Sequence, residues 1–138
     1  MALGLLGIPA GAIACSSEKA LPSGTFPPEP LEIATSSSGE SKVAVRTSPQ
    51  PTVRGTNLVE LTITNASDGL PRDGLLLDMK PWMPAMNHGS SAITSVVAEG
   101  GGKYLVSDVD LFMPGRWELR TSIAGPVNDH VAPPVDIP

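Results

Sequence analysis

From Lys42 onward the chain alternates apolar and polar residues in short runs that turn signals interrupt. Val43-Ala44-Val45-Arg46 reads as a first strand, stopped by Ser48-Pro49-Gln50-Pro51. Asn57 to Thr64 sets Val59, Leu61 and Ile63 against Leu58, Glu60 and Thr62, the period of a half-buried strand. Asn65-Ala66-Ser67-Asp68-Gly69 and Pro71-Arg72-Asp73-Gly74 carry turn residues. Further strands are predicted over Leu75–Lys80, Ala92–Ala98, Lys103–Leu111 and Arg116–Ile123, the last with Trp117, Leu119 and Thr121 on one face. A final short strand covers Asp129–Val135, where Pro133 and Pro134 suit only an edge. No stretch sustains a helical period. Such a series predicts an all-β fold, an immunoglobulin-like antiparallel β-sandwich of about seven strands spanning residues 42–138.

Ahead of that domain the texture differs. Residues 16–41 are rich in Ser, Pro, Gly and Glu, including Pro27-Pro28-Glu29-Pro30 and Ser36-Ser37-Ser38-Gly39. Little apolar area is available there to offset ordering entropy, so the segment reads as a disordered linker. The first residues are apolar and small, from Ala2 to Ala14, and end at Cys15. A short apolar run closing on small residues has the form of a secretory signal rather than a membrane span. Ala14-Cys15-Ser16-Ser17 resembles the lipobox of bacterial lipoproteins, although no Lys or Arg precedes the apolar run. That resemblance implies a signal peptide over residues 1–14, lipid attachment at Cys15 and a linker to residue 41. It also implies an extracytoplasmic protein anchored to a membrane, in the bacterial periplasm or at the cell surface.

Composition narrows the function classes. The net charge is −5 with nine Lys and Arg in 138 residues, which argues against a nucleic-acid partner. Cys15 is the only cysteine, so the domain has no internal disulfide and depends on packing. Aromatics make up only 4% of residues, leaving Val, Leu, Ile, Ala and Met to fill the core.

The segment with the most chemistry is Lys80-Pro81-Trp82-Met83-Pro84-Ala85-Met86-Asn87-His88-Gly89. Its prolines and glycine disfavour a central strand, so Met83, Met86 and His88 are expected on a loop. Thioether sulfur is soft and uncharged, and imidazole suits the same ions, so such a set favours Cu(I). Met113, beside the turn Pro114-Gly115, is a further candidate ligand. The same methionines could instead fill gaps in a core, with Trp82 plugging one end of the sandwich.

Met83-Pro84-Ala85-Met86-Asn87-His88-Gly89, Gly102-Lys103-Tyr104 and Met113-Pro114-Gly115-Arg116-Trp117-Glu118-Leu119, in that order, resemble the YtkA-like domain, related to the FixH family. Gly55-Thr56-Asn57 and Asp68-Gly69-Leu70-Pro71 also match, so the resemblance runs from about residue 43 to 124. It implies a β-sandwich outside the cytoplasm, often on lipoproteins or beside copper-export and oxidase-assembly components, and does not imply an established enzyme activity. Asn87 stands where many relatives place Gly, and Met86 where some place His.

Two functions follow. One is copper binding or delivery through Met83, Met86, His88 and Met113. The other is a non-metal interaction module that docks through the Trp82 loop on a membrane-protein partner, such as an efflux or oxidase-assembly component. An enzyme is not expected, because no serine elbow or phosphate-cradling loop is present. Asp108 and Asp110 read as solvated strand residues. His130 reads as strand surface.

Overall fold

The computed structural model describes residues 24–125 and 128–138. Cys15 and the expected signal peptide lie outside them. Ten strands follow in chain order: β1 (Glu32–Thr35), β2 (Ser41–Ser48), β3 (Gly55–Asn65), β4 (Leu76–Met83), β5 (His88–Gly89), β6 (Ser95–Gly100), β7 (Lys103–Leu111), β8 (Gly115–Ala124), β9 (Asp129–Val131) and β10 (Pro134–Ile137). One sheet has the order β1-β2-β3-β7-β6. The other runs β10-β8-β4-β5, with β9 also pairing β8. All pairings are antiparallel. The fold is therefore a two-sheet β-sandwich.

Alternation along the strands fills the space between the sheets. Val43 and Val45, Val59, Leu61 and Ile63, and Tyr104 and Val106 come from the first sheet. Met79 and Met83, and Trp117, Leu119 and Ile123, meet them from the second. The alternation slips once. Val59 faces Val106 but Asn57 faces Val109, so β7 holds one extra residue and bulges. Asp108 takes the left-handed φ of 61° there, which short polar side chains tolerate better than bulky ones. The slip lets Val109 and Leu111 join the core, where strict alternation would turn them outward.

Three features correct the seven-strand expectation. The last predicted strand divides into β9 and β10, separated by Ala132 and Pro133. A two-residue β5 forms inside the predicted loop. The expected linker also contains β1, which pairs Glu32 with Val45 and Thr35 with Lys42. Leu31 and Ala34 pack on the core. Upstream, the Arg46 guanidinium donates to the carbonyls of Pro27 and Pro28. A polar composition argues against burying side chains, yet the free edge of β2 needs only backbone partners. Residues 24–41 can provide those.

The turn between β1 and β2 also ties the two sheets together. Ser37 N–H donates to the His130 carbonyl at 2.8 Å, and Ser38 donates to Asp129 from its N–H and its hydroxyl. His130 lies on exposed strand surface, with Nε2 2.7 Å from the Ser37 hydroxyl. Partial burial alone would raise the Asp129 carboxyl. The hydrogen bonds from Ser38, Ser36 and the His130 N–H outweigh it and hold the group well below the usual carboxylate range. Its stabilising contribution is therefore complete above the unfolded value near pH 4 and is lost as pH falls through the folded value. Thermal midpoints of the parent should exceed those of Asp129→Asn at pH 7 and converge with them in acid below about pH 4. A constant difference across that range would show that this carboxylate does not supply the clasp.

Gly102 allows a close approach between strands. Its φ is +76°, its N–H donates to Asp73, and a Cβ there would lie 2.6 Å from the Ile63 carbonyl oxygen. Gly101, with φ +64°, has open space on that side. Either alanine carries a left-handed backbone cost of about 1–2 kcal/mol, but only Gly102→Ala must also displace a neighbouring backbone. We expect a clearly larger drop in thermal midpoint for Gly102→Ala than for Gly101→Ala; equal drops would refute the contact.

Candidate functional site

β4 and β8 run antiparallel, pairing Leu76 with Ala124 and Trp82 with Glu118. The C-terminal end of β4 therefore meets the N-terminal end of β8. The turn 112–114 enters β8 at this same end, so Met113 and the Met83–His88 hairpin are neighbours. Strand order, not sequence spacing, makes that juxtaposition.

Met83 and His88 are not loop residues, as the prolines suggested, but directly opposed partners across β4 and β5. Pro81 is accommodated because its carbonyl accepts Ser90 N–H just beyond the two-residue β5, so its missing N–H points to that side, where the pairing has ended, and away from β8. Between the strands, Met86 N–H donates to the Met83 carbonyl and Asn87 N–H to the Pro84 carbonyl. Asn87 adopts a φ of 53°, which Asn accepts in such turns. Cross-strand partners lie on one face, with Cβ atoms about 4.5–5.5 Å apart. A thioether and an imidazole thus share the core-facing side.

The surroundings are aromatic. The His88 ring stacks on Phe112 with centroids 5.6 Å apart and meets Trp117 edge-on at 6.2 Å. Phe112 and Trp117 are 5.5 Å apart at a steep angle. Trp117 Nε1 donates to the Met113 carbonyl at 3.0 Å, which pins the turn. Met83 is 4% exposed, and its methyl group lies against Gly115, where a Cβ would be only 2.5 Å away. Met113 is half-buried and packs on the core. Met86 stands apart on the hairpin tip, 52% exposed. Three of the four proposed ligands are therefore gathered, and the fourth sits on the rim.

His88 Nδ1 is buried and has no hydrogen-bond partner. A buried imidazole nitrogen normally finds one, because an unpaired polar atom away from water is costly. Among the described residues, no group of three or more His, Cys, Asp and Glu is placed to hold a metal ion. The soft side-chain donors that the hairpin and the neighbouring turn bring toward His88 are the thioethers of Met83 and Met113. The aromatic partners Phe112 and Trp117 were not legible as site residues, since they lie 24 and 29 positions beyond His88 and only the strand order brings them against its ring.

A second feature lies on the outer face of the β4–β8 sheet. Trp82 points away from the core, and the Arg120 guanidinium lies 5.0 Å from its ring centroid. A groove of about 650 Å³ runs beside it, lined by Lys80, Glu118, Arg120 and His130 among others. Trp82 thus occupies a sheet face rather than plugging an end of the sandwich.

The fold and this end of it define a small β-sandwich domain with a Met/His hairpin. The chain belongs to the YtkA-like family, whose model matches residues 35–122. No match was found among curated proteins or among solved structures.

Proposed function

We propose that the chain is an extracytoplasmic lipoprotein, anchored through Cys15, whose sandwich binds a soft metal ion, most naturally Cu(I), at the end bearing His88. The observation that carries this reading is the buried, unpartnered Nδ1 of His88, opposed across the hairpin to Met83. Met113 supplies a second thioether nearby and Met86 an exposed one on the tip. Neutral thioether and imidazole donors suit Cu(I) and bind hard ions poorly. Copper-export or oxidase-assembly proteins would be the natural exchange partners for such a carrier.

The direct test is Cu(I) titration of the chain against a competing chelator under anaerobic conditions. One equivalent should be taken up in preference to Zn(II). Absence of Cu(I) uptake would reject the reading.

The second reading, a non-metal interaction module, draws on the groove beside Trp82 and Arg120. It would dock on a membrane-protein partner through that face. Trp82→Ala would then abolish partner recovery, whereas the metal reading expects Cu(I) uptake unchanged in the same variant.

A further inference from the structure

The site end of the sandwich also carries exposed apolar residues from three separate loops. Val53, between β2 and β3, is 41% exposed; Met86, on the β4–β5 hairpin, is 52% exposed; Phe112, between β7 and β8, is 41% exposed. All three connections lie at one end, because Gly55 pairs with Leu111 and Gly115 begins the strand that meets the end of β4. Arg54 and Arg116 there are balanced by Asp110 and Asp136, and Arg116 pairs with Asp136 at 3.6 Å. The apolar residues are thus not part of a surface of one charge sign.

The described chain also begins at this end. Gly24 lies against Ser48 and Leu58, where a Cβ would be 2.8 and 2.9 Å from their side chains. Ser48 and Leu58 are paired beside the loop that bears Val53. Nine residues, Ser16 to Gly24, follow Cys15. Fully extended they reach at most roughly 30 Å. Along β3, Leu58 lies about 10 Å from Gly55 at this end and about 24 Å from Asn65 at the other. While Gly24 keeps its place, a bilayer that holds Cys15 therefore meets this end with far less extension of the tether than the far end, where Leu70 and Leu76 are also exposed.

The geometry points to the lipid surface itself as the occupant of this end: Val53, Met86 and Phe112 insert shallowly into the bilayer to which the chain is anchored. The inference rests on the reading of Cys15 as the attachment point. It turns the Met/His hairpin toward the membrane rather than toward bulk solvent. Apolar tips of this kind settle at the boundary between headgroups and acyl chains. Balanced charge makes the contact independent of anionic lipid.

Because Cys15 is the only cysteine, the chain from Cys15 onward can be coupled through its thiol to a maleimide-bearing lipid in phosphatidylcholine vesicles. Hydroxyl-radical footprinting would compare it with the thiol-capped chain in the presence of the same vesicles. Oxidation of Val53, Met86 and Phe112 should fall about threefold or more on coupling, while Leu70 and Leu76 keep their rates. Uniform protection, or protection of Leu70 and Leu76 instead, would overturn the orientation. The double variant Val53→Ser/Met86→Ser alters only exposed side chains and should return Phe112 to its uncoupled rate. Persistent protection of Phe112 would show that these tips do not insert. Separately, if Cys15→Ala remains in the membrane fraction of cells, the anchor reading fails, whatever the coupled chain does.

Discussion

Trp117→Ala should lower the stability of the domain by about 3–5 kcal/mol, the range for removing a large buried aromatic side chain. Trp117 is fully buried, contributes to the central cluster and holds the Met113 carbonyl through Nε1. Truncation therefore leaves a cavity between the sheets and frees the turn that enters β8. For a domain of roughly 100 residues, the loss corresponds to a fall of roughly 12–40 °C in thermal midpoint. Circular dichroism of the parent, Trp117→Ala and Trp82→Ala would measure it. Trp82 lies on the outer face beneath Arg120, so its truncation should cost far less. Comparable shifts for the two tryptophans would contradict the packing.

The second large effect is expected in Cu(I) affinity, and it separates the three hairpin ligands. His88→Phe keeps a flat ring for the stack on Phe112 and Trp117 but removes both nitrogens. It should weaken Cu(I) binding about 100-fold, or about 2.8 kcal/mol, with a thermal midpoint close to that of the parent. Met83→Leu conserves volume in the core, so stability should change by less than about 1.5 kcal/mol while affinity falls comparably. Met86→Leu, on the exposed tip, should have the smallest effect of the three. The ordering comes from burial and strand pairing. If both leucine variants bind as tightly as the parent, the methionines are packing residues and the interaction-module reading is preferred. If His88→Phe retains parental affinity, the buried Nδ1 is not a ligand.

Much of the fold could be read along the chain because a strand's side chains alternate strictly. Val59, Leu61 and Ile63, and Trp117, Leu119 and Thr121, declare their inward face by a period of two, and all six are buried. The all-β class follows from that period and from the turn residues between runs. The candidate site was legible as Met83, Met86 and His88 close together in the sequence, and the resemblance to the YtkA-like domain was carried in part by the same residues.

β1 was not legible, because backbone groups on the open edge of β2 recruit a strand without requiring an apolar pattern. The bulge at Asp108 was hidden for a related reason: a single left-handed residue shifts the register without changing the composition of the run. Proline hid the hairpin, since Pro81 is excluded only where its missing N–H would face a partner strand. Local sequence thus determined which residues are apolar, which turn and which donors are available. Tertiary structure decided which donors meet. Met83 and Met86 are three residues apart yet differ in exposure, one in the core and one on a tip. Met113, 25 residues beyond His88, arrives beside it because β8 runs back along β4 from the end where the hairpin turns.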